Sequence, residues 1–154
     1  MTRPIETTPA EKGGRGGPGP WSAATEAETE ALGEHLVRNV LGTEGIVLLE
    51  GDLGAGKTVL VRGMAQALGI GRREVQSPTF TLIHEHGGTR GRLVHVDLYR
   101  LEADEIESLG LDELLEGPGL KAIEWAERLP WPVQRAHRIR IESDRDGRRR
   151  VHLA

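Results

Sequence analysis

A short apolar run, Ile46-Val47-Leu48-Leu49-Glu50, leads straight into Gly51-Asp52-Leu53-Gly54-Ala55-Gly56-Lys57-Thr58. This junction constrains the fold more than any other feature of the chain. The run before it has the length and branched content of a buried parallel strand. After it, Leu60, Val61, Met64, Ala65 and Leu68 recur at the spacing of one helix face, which predicts a helix over Lys57 to Leu68. The octapeptide fits G-x-x-x-x-G-K-[ST], and strand, glycine loop, helix is the context that makes this pattern a phosphate site.

Each residue type has a physical task there. Glycines at 51, 54 and 56 open dihedrals closed to other residues, so successive N–H groups can turn inward around an anion. The helix beginning near Lys57 adds the positive end of its dipole. Lys57 supplies a mobile cation for β- and γ-phosphates, and the Thr58 hydroxyl is placed to ligate magnesium. The alternative is a glycine turn that binds nothing, which leaves the flanking strand and helix as coincidence. The sequence therefore predicts a nucleotide-binding chain.

The remaining segments read as one domain over residues 21–154, preceded by a Gly/Pro-rich tail over 1–20 with almost nothing to bury, read as disordered. A helix is expected from Ser22 to Leu41, with Ser22 as N-cap and Ala27, Ala31, Leu32, Leu36 and Val40 facing inward. Gly69 and Gly71 stop the helix after the loop. Past Pro78 the period turns extended: a strand over Thr79 to His86, a Gly87-Gly88 turn, and a strand over Arg92 to Asp97. Short helices follow over Ala103 to Leu109 and Leu111 to Leu115, then a strand over Leu120 to Trp125. Arg138 to Glu142 and Arg149 to Leu153 alternate around Asp144-Arg145-Asp146-Gly147, a hairpin. The expected fold class is α/β, a three-layer domain with a parallel core sheet extended by antiparallel strands that include the C-terminal hairpin.

Composition narrows the chemistry. The 154 residues contain no cysteine, which removes disulfides, thiolate-bound zinc and thiol catalysis together. No apolar run approaches membrane-spanning length, and the first residues lack the apolar core of a signal peptide, so a cytoplasmic protein without membrane contact is expected. Net charge is −4, giving no global pull toward nucleic acid. Arg135 to Arg150 nevertheless holds seven arginines against three acids. That stretch reads first as a solvated strand face and second as a surface for RNA or an acidic partner.

A phosphate loop needs a carboxylate for magnesium, at the carboxyl end of a neighbouring apolar strand. Leu93-Val94-His95-Val96-Asp97 ends in one, and Leu120-Lys121-Ala122-Ile123-Glu124 in another. Asp97 is the candidate metal ligand, and Glu124 the candidate to polarise water or help hold the metal. Thr79, in Ser77-Pro78-Thr79, lies where a γ-phosphate contact is expected, although an ordinary proline turn fits equally well. His84 and His86 share a strand face but have no third ligand in view. Trp125 reads as a buried anchor, one of only five aromatic residues in the chain.

The octapeptide together with Ser77-Pro78-Thr79-Phe80-Thr81-Leu82, His95-Val96-Asp97-Leu98-Tyr99-Arg100-Leu101 and Ile123-Glu124-Trp125 resembles, in order and spacing, the bacterial TsaE (YjeE) proteins. The resemblance runs from about Ala24 to Val151. It implies an ATPase that supports threonylcarbamoylation of the adenosine beside the tRNA anticodon by acting with a TsaB–TsaD complex, and touching tRNA only indirectly or weakly. It implies ATP and Mg²⁺ as ligands, with Lys57 on phosphate, Thr58 and Asp97 on the metal, and Glu124 at metal or water. The catalytic set is thus Lys57, Asp97 and Glu124. Nucleotide contacts are implied for Thr25 and Glu26, for Gly51, Asp52, Leu53, Gly54, Ala55, Gly56, Lys57 and Thr58, and for Val59, Thr79 and Arg148. Val59 departs from the family, where a second hydroxyl usually follows the threonine. Two other functions use the same loop: a small-molecule kinase, and a nucleotide-gated binding module without significant hydrolysis.

Overall fold

The computed structural model describes residues 20–75 and 82–154. The tail over residues 1–19, and the Thr79 segment over 76–81, lie outside the described residues. Seven strands form one sheet: β1 (Trp21–Ala23), β2 (Gly45–Glu50), β3 (Ile83–Gly87), β4 (Arg92–Asp97), β5 (Leu120–Glu124), β6 (Ala136–Ser143) and β7 (Arg149–Leu153). Their order is β1-β7-β6-β2-β5-β4-β3. Strands β6, β2, β5 and β4 run parallel, whereas β3, β7 and β1 pair antiparallel. Of the parallel strands, β2, β5 and β4 are largely buried on both faces, as crossover connections require, whereas β6 exposes one face. Every side chain of β5 is buried, including Lys121, whose ammonium donates to the Gly117 and Gly119 carbonyls at 2.6 and 2.9 Å.

Strand alternation divides the core in two. On one face, Val47, Leu49, Leu93, Leu120, Ala122, Ile139, Ile141 and Val151 pack against helices α1 (Glu26–Leu36) and α2 (Lys57–Ala67). On the other, Leu48, Val94, Val96 and Ile123 pack against α3 (Ala103–Glu107), α4 (Leu111–Glu116) and the Leu129-to-Val133 segment. The result is helix, sheet, helix, in line with the expected class. Each fully buried leucine, such as Leu32, Leu36 or Leu60, contributes about 2 kcal/mol relative to exposure.

The N-terminal helix begins later than its spacing predicts. Residues 21–23 form an edge strand, with Trp21 opposite Val151 and Ser22 opposite Arg150, so Ser22 is no cap. Thr25 holds that role: its Oγ1 accepts from the Glu28 N–H at 3.1 Å, and the Glu28 carboxylate reaches back to the Ala24 N–H at 2.7 Å. Ala27 is exposed accordingly. The last turn, Val37–Leu41, widens into a π-helix closed by Gly42 N–H to the Val37 carbonyl at 3.0 Å. That extra residue per turn turns Val40 outward and buries Leu41 in its place.

Helices α1 and α2 meet almost backbone to backbone. A methyl group on Gly33 would fall on the Leu60 carbonyl, and one on Gly63 on the Glu30 carbonyl. Beside this crossing lies a buried carboxylate, Glu30. Arg62 and Gln66 of α2 donate to it at 3.2 Å each, and Arg72 of the following turn at 3.0 Å. Burial alone would raise its pKa, but the bonds from Arg72, Arg62 and Gln66 outweigh burial and hold the carboxyl below its ordinary range.

The remaining elements lie close to their expected bounds. Strand β4 covers Arg92–Asp97, the last strand before the hairpin is β5 with Trp125 just outside it, and the hairpin strand β6 starts two residues early at Ala136. Its outer face carries Arg138 and Arg140, with Arg150 and His152 beside them on β7. Much of that charge is met locally: Arg138 pairs with Glu50 at 2.5 Å, and His152 and Arg140 lie 3.6 and 3.9 Å from Glu142.

Candidate nucleotide site

The loop Gly51–Gly56 leaves the carboxyl end of β2 at the centre of the sheet, and α2 starts at Lys57. Gly56 caps that helix at φ 109°, a left-handed conformation that L side chains avoid. A Cβ on Gly51 would sit 2.5 Å from the Ile141 carbonyl, so the loop passes too close to β6 for any side chain there. Beside the loop opens a cleft of 640 Å³, of the size that takes a small-molecule ligand. The first turn of α2 aims its unpaired N–H groups toward it.

Three parallel strands deliver the polar groups. Asp97 ends β4 and Glu124 ends β5, opposite each other in register. Glu124 is buried (3% exposed), and its Oε2 accepts from the Thr58 hydroxyl at 2.7 Å. His95 Nε2 lies 2.6 Å from the same oxygen. Asp97 Oδ1 accepts from the Tyr99 N–H at 2.9 Å. Burial pushes the Asp97 carboxyl above its ordinary range, and the Glu124 charge adds to this while the Tyr99 N–H opposes it.

Lys57 is buried, with Nζ donating to the Gly51 and Asp52 carbonyls at 2.5 and 2.9 Å and lying 4.1 Å from the centre of the Trp125 ring. Burial pulls its ammonium below the ordinary lysine range, and Glu124, Glu127, Asp97 and Asp52 recover only part of that. An anion in the cleft would oppose that shift and favour the ammonium. Trp125 is thus a wall of the cleft, packed against the Tyr99 ring at 4.7 Å with the planes tilted by 41°, and held at φ 62°, a conformation that is a genuine outlier for a bulky residue. It is half-buried and also packs against the core on the α3–α4 side of the sheet, so it serves as anchor and as wall.

Of the sequence-predicted contacts, Thr25, Glu26, Leu53, Gly54, Gly56, Lys57, Thr58, Val59, Asp97 and Glu124 line the cleft. Gly51, Asp52 and Ala55 face a second concavity on the β6 side of the loop. Thr79 is outside the described residues. Arg148 stands elsewhere: it is exposed, 3.4 Å from Ser22 Oγ, while the next residue, Arg149, enters the cleft and donates to the Gly54 carbonyl at 3.3 Å. Alternation along β7 explains the difference, because Arg149 shares the face of Val151. Tyr99 and Arg100 also line the cleft.

The donor set fits a magnesium nucleotide. Thr58, Asp97 and Glu124 offer the hard oxygens that magnesium prefers, the loop offers backbone N–H groups and Lys57 offers a cation. Helix α1 contributes the opposite wall through Thr25, Glu26 and Thr29. The hydrophobic side of the cleft is formed by Leu53, Val59 and Leu82.

Comparisons with known proteins point to one family. The family model described as threonylcarbamoyl adenosine biosynthesis protein TsaE matches residues 23–151. A protein of Nostoc sp. named tRNA threonylcarbamoyladenosine biosynthesis protein TsaE is 43% identical over 122 residues, covering 77% of this chain and 75% of the relative. The protein of the same name from Bacillus subtilis is 45% identical over 114 residues, covering 71% and 70%. Among solved structures, Bacillus subtilis YdiB superposes with a TM-score of 0.65 at 33% identity, over 87% of this chain and 83% of that one.

Proposed function

Because the chain belongs to the TsaE family of threonylcarbamoyl adenosine biosynthesis, we propose that it is a magnesium-dependent ATPase serving a TsaB–TsaD complex in that tRNA modification. One observation supports hydrolysis above simple binding: a buried glutamate at the end of β5 is hydrogen-bonded to the hydroxyl of the phosphate loop. A carboxylate kept only for a partner contact has no reason to be 3% exposed.

In this reading the loop N–H groups, the α2 N-terminus and Lys57 hold the triphosphate. Thr58 and Asp97 hold the metal, and Thr25, Glu26 and Arg149 close the cleft around the nucleotide. Magnesium, when bound, neutralises charge on the phosphate oxygens. Glu124 orients the attacking water through the oxygen that Thr58 does not occupy. Trp125 keeps the Lys57 ammonium close to the loop carbonyls and excludes water from it. Burial holds the Asp97 pKa above its ordinary range, and a bound cation would reverse that shift by stabilising the carboxylate. The chain transfers no group to tRNA itself; its partner holds the transferase, and hydrolysis resets the complex between turnovers.

The test is phosphate release from Mg·ATP by the purified protein, alone and with TsaB–TsaD. Stimulation by the complex is expected, with Thr58→Ala and Glu124→Ala each reducing turnover at least about 100-fold. Retention of stimulated turnover by both variants would remove the assignment. ATP binding without release under either condition would move the chain to a nucleotide-gated module. Release that depends on a metabolite alone would move it to a kinase.

A further inference from the structure

One buried imidazole stands outside the roles given so far. His95 lies between Val94 and Val96 on β4, is 0% exposed, and shares its sheet face with Leu93 and Asp97. Opposite it on β5 is Ala122. Leucine or valine would serve if packing were its only task, because a polar ring away from water costs free energy unless its atoms are bonded. Only one nitrogen of His95 is bonded: Nε2 meets Glu124 Oε2 at 2.6 Å, whereas Nδ1 is buried with no partner among the described residues. Among the described residues, the polar character of the ring is therefore used on Glu124 alone.

Register explains how the ring reaches it. In the parallel β4–β5 pair, Asp97 faces Glu124 and His95 faces Ala122, so His95 reaches Glu124 along the diagonal, across a side chain that is only a methyl group. A carboxylate has no proton to give, so Nε2 carries the hydrogen of this bond. The same Oε2 also accepts the Thr58 hydroxyl at 2.7 Å. One donor comes from the loop helix and the other from the sheet, and both fall on one oxygen. Oε1 accepts no hydrogen bond among the described residues, and Glu124 lines the cleft. The last torsion of a glutamate is broad, so a single donor would leave the carboxylate free to turn.

We propose that His95 is a positioning residue for ATP hydrolysis: its Nε2–H fixes Glu124 Oε2, so that Oε1 is the atom presented to the cleft. His95 does not itself line the cleft, and it acts only through Glu124. The inference rests on the role given to Glu124 above.

The test compares His95→Leu, which keeps volume and removes the donor, with His95→Gln, whose amide nitrogen reaches the place of Nε2. Stimulated phosphate release is measured at saturating ATP, affinity by titrating a fluorescent ATP analogue with Mg²⁺, and folding by thermal melting. For His95→Leu, kcat falls about 10- to 100-fold while the analogue Kd stays within about twofold, and His95→Gln recovers most of the loss. In the double variant with Glu124→Gln, His95→Leu costs nothing more, because both act on one group. A crystal structure of His95→Leu shows the Glu124 carboxylate turned away from Thr58. If His95→Leu does not fold, His95→Asn takes its place, since its amide is too short to reach Glu124. A kcat unchanged in the donor-free variant, or a loss confined to affinity, overturns the proposal. An active Glu124→Gln enzyme instead overturns the function on which it rests, and the two failures are thereby distinct.

Discussion

Asp97 shows how one residue carries a stability cost for its chemistry. Its folded pKa is raised, with burial as the main cause, so the folded state favours the protonated acid more than the unfolded chain does. The penalty is absent below the ordinary value of 3.8 and grows as pH rises through the folded value, above which it is complete. Asp97→Asn should therefore melt higher than the parent at pH 7, by roughly 1–2 °C, and lose that advantage below pH about 4. Calorimetry across pH 3–7 checks the sign, and the same variant should lose magnesium-dependent turnover. At this scale the sequence was legible wherever a motif spans adjacent residues. Lys57 and Thr58 follow from one octapeptide, and Asp97 and Glu124 from strand ends. The Glu124–His95–Thr58 contact was not legible, because it joins three elements that only the sheet order brings together. Arg149 was within reach: two-residue alternation from Val151 selects it over Arg148.

At the scale of elements, the α1–α2 crossing is the joint that aligns the walls of the cleft. Its glycines leave no room for a methyl group. Gly63→Ala should destabilise the fold by about 3 kcal/mol, read as a lower urea midpoint with unchanged slope. The Glu30 cluster beside the crossing has a depressed carboxyl. Its contribution is fully present above the ordinary value of 4.5 and is lost as pH falls through the folded value. Glu30→Gln should cost about 2 kcal/mol at pH 7, with the gap to the parent closing as the medium is acidified below pH 4.5. Melting at pH 7 and pH 3 separates this from a simple packing loss, which would persist at both. Element positions followed from periodicity with two informative exceptions. β1 has three residues, too few for alternation to register, and its partner lies at the far end of the chain. The π-turn shifted the buried position from Val40 to Leu41, a change of phase that regular helical spacing cannot anticipate.

At the scale of the whole molecule, the fold class was legible because one motif demands a strand, a loop and a helix in fixed order, and alternating elements afterwards continue the pattern. The order of strands was not, since no local signal says that β5 inserts between β2 and β4. The cleft draws on α1, the loop, β4, β5 and β7 together, so ligand binding should stabilise the entire cooperative unit. At Mg·ATP about 100-fold above its Kd, stabilisation of about 2.7 kcal/mol is expected, or a melting shift of roughly 5–10 °C. Differential scanning fluorimetry measures it, and Thr58→Ala should remove most of the magnesium-dependent part.

The pairing of β1 with β7 sets a schedule for the nascent chain. Trp21 meets Val151, so the first described strand has no sheet partner until β7 has been made. Loop closure over that distance carries an entropic cost that local contacts do not. Thr25 follows β1 directly and Arg149 begins β7, so two walls of the nucleotide cleft come into place with this final pairing. Until β7 has been made, the nascent chain holds a phosphate loop but only part of the cleft that a bound ligand would need.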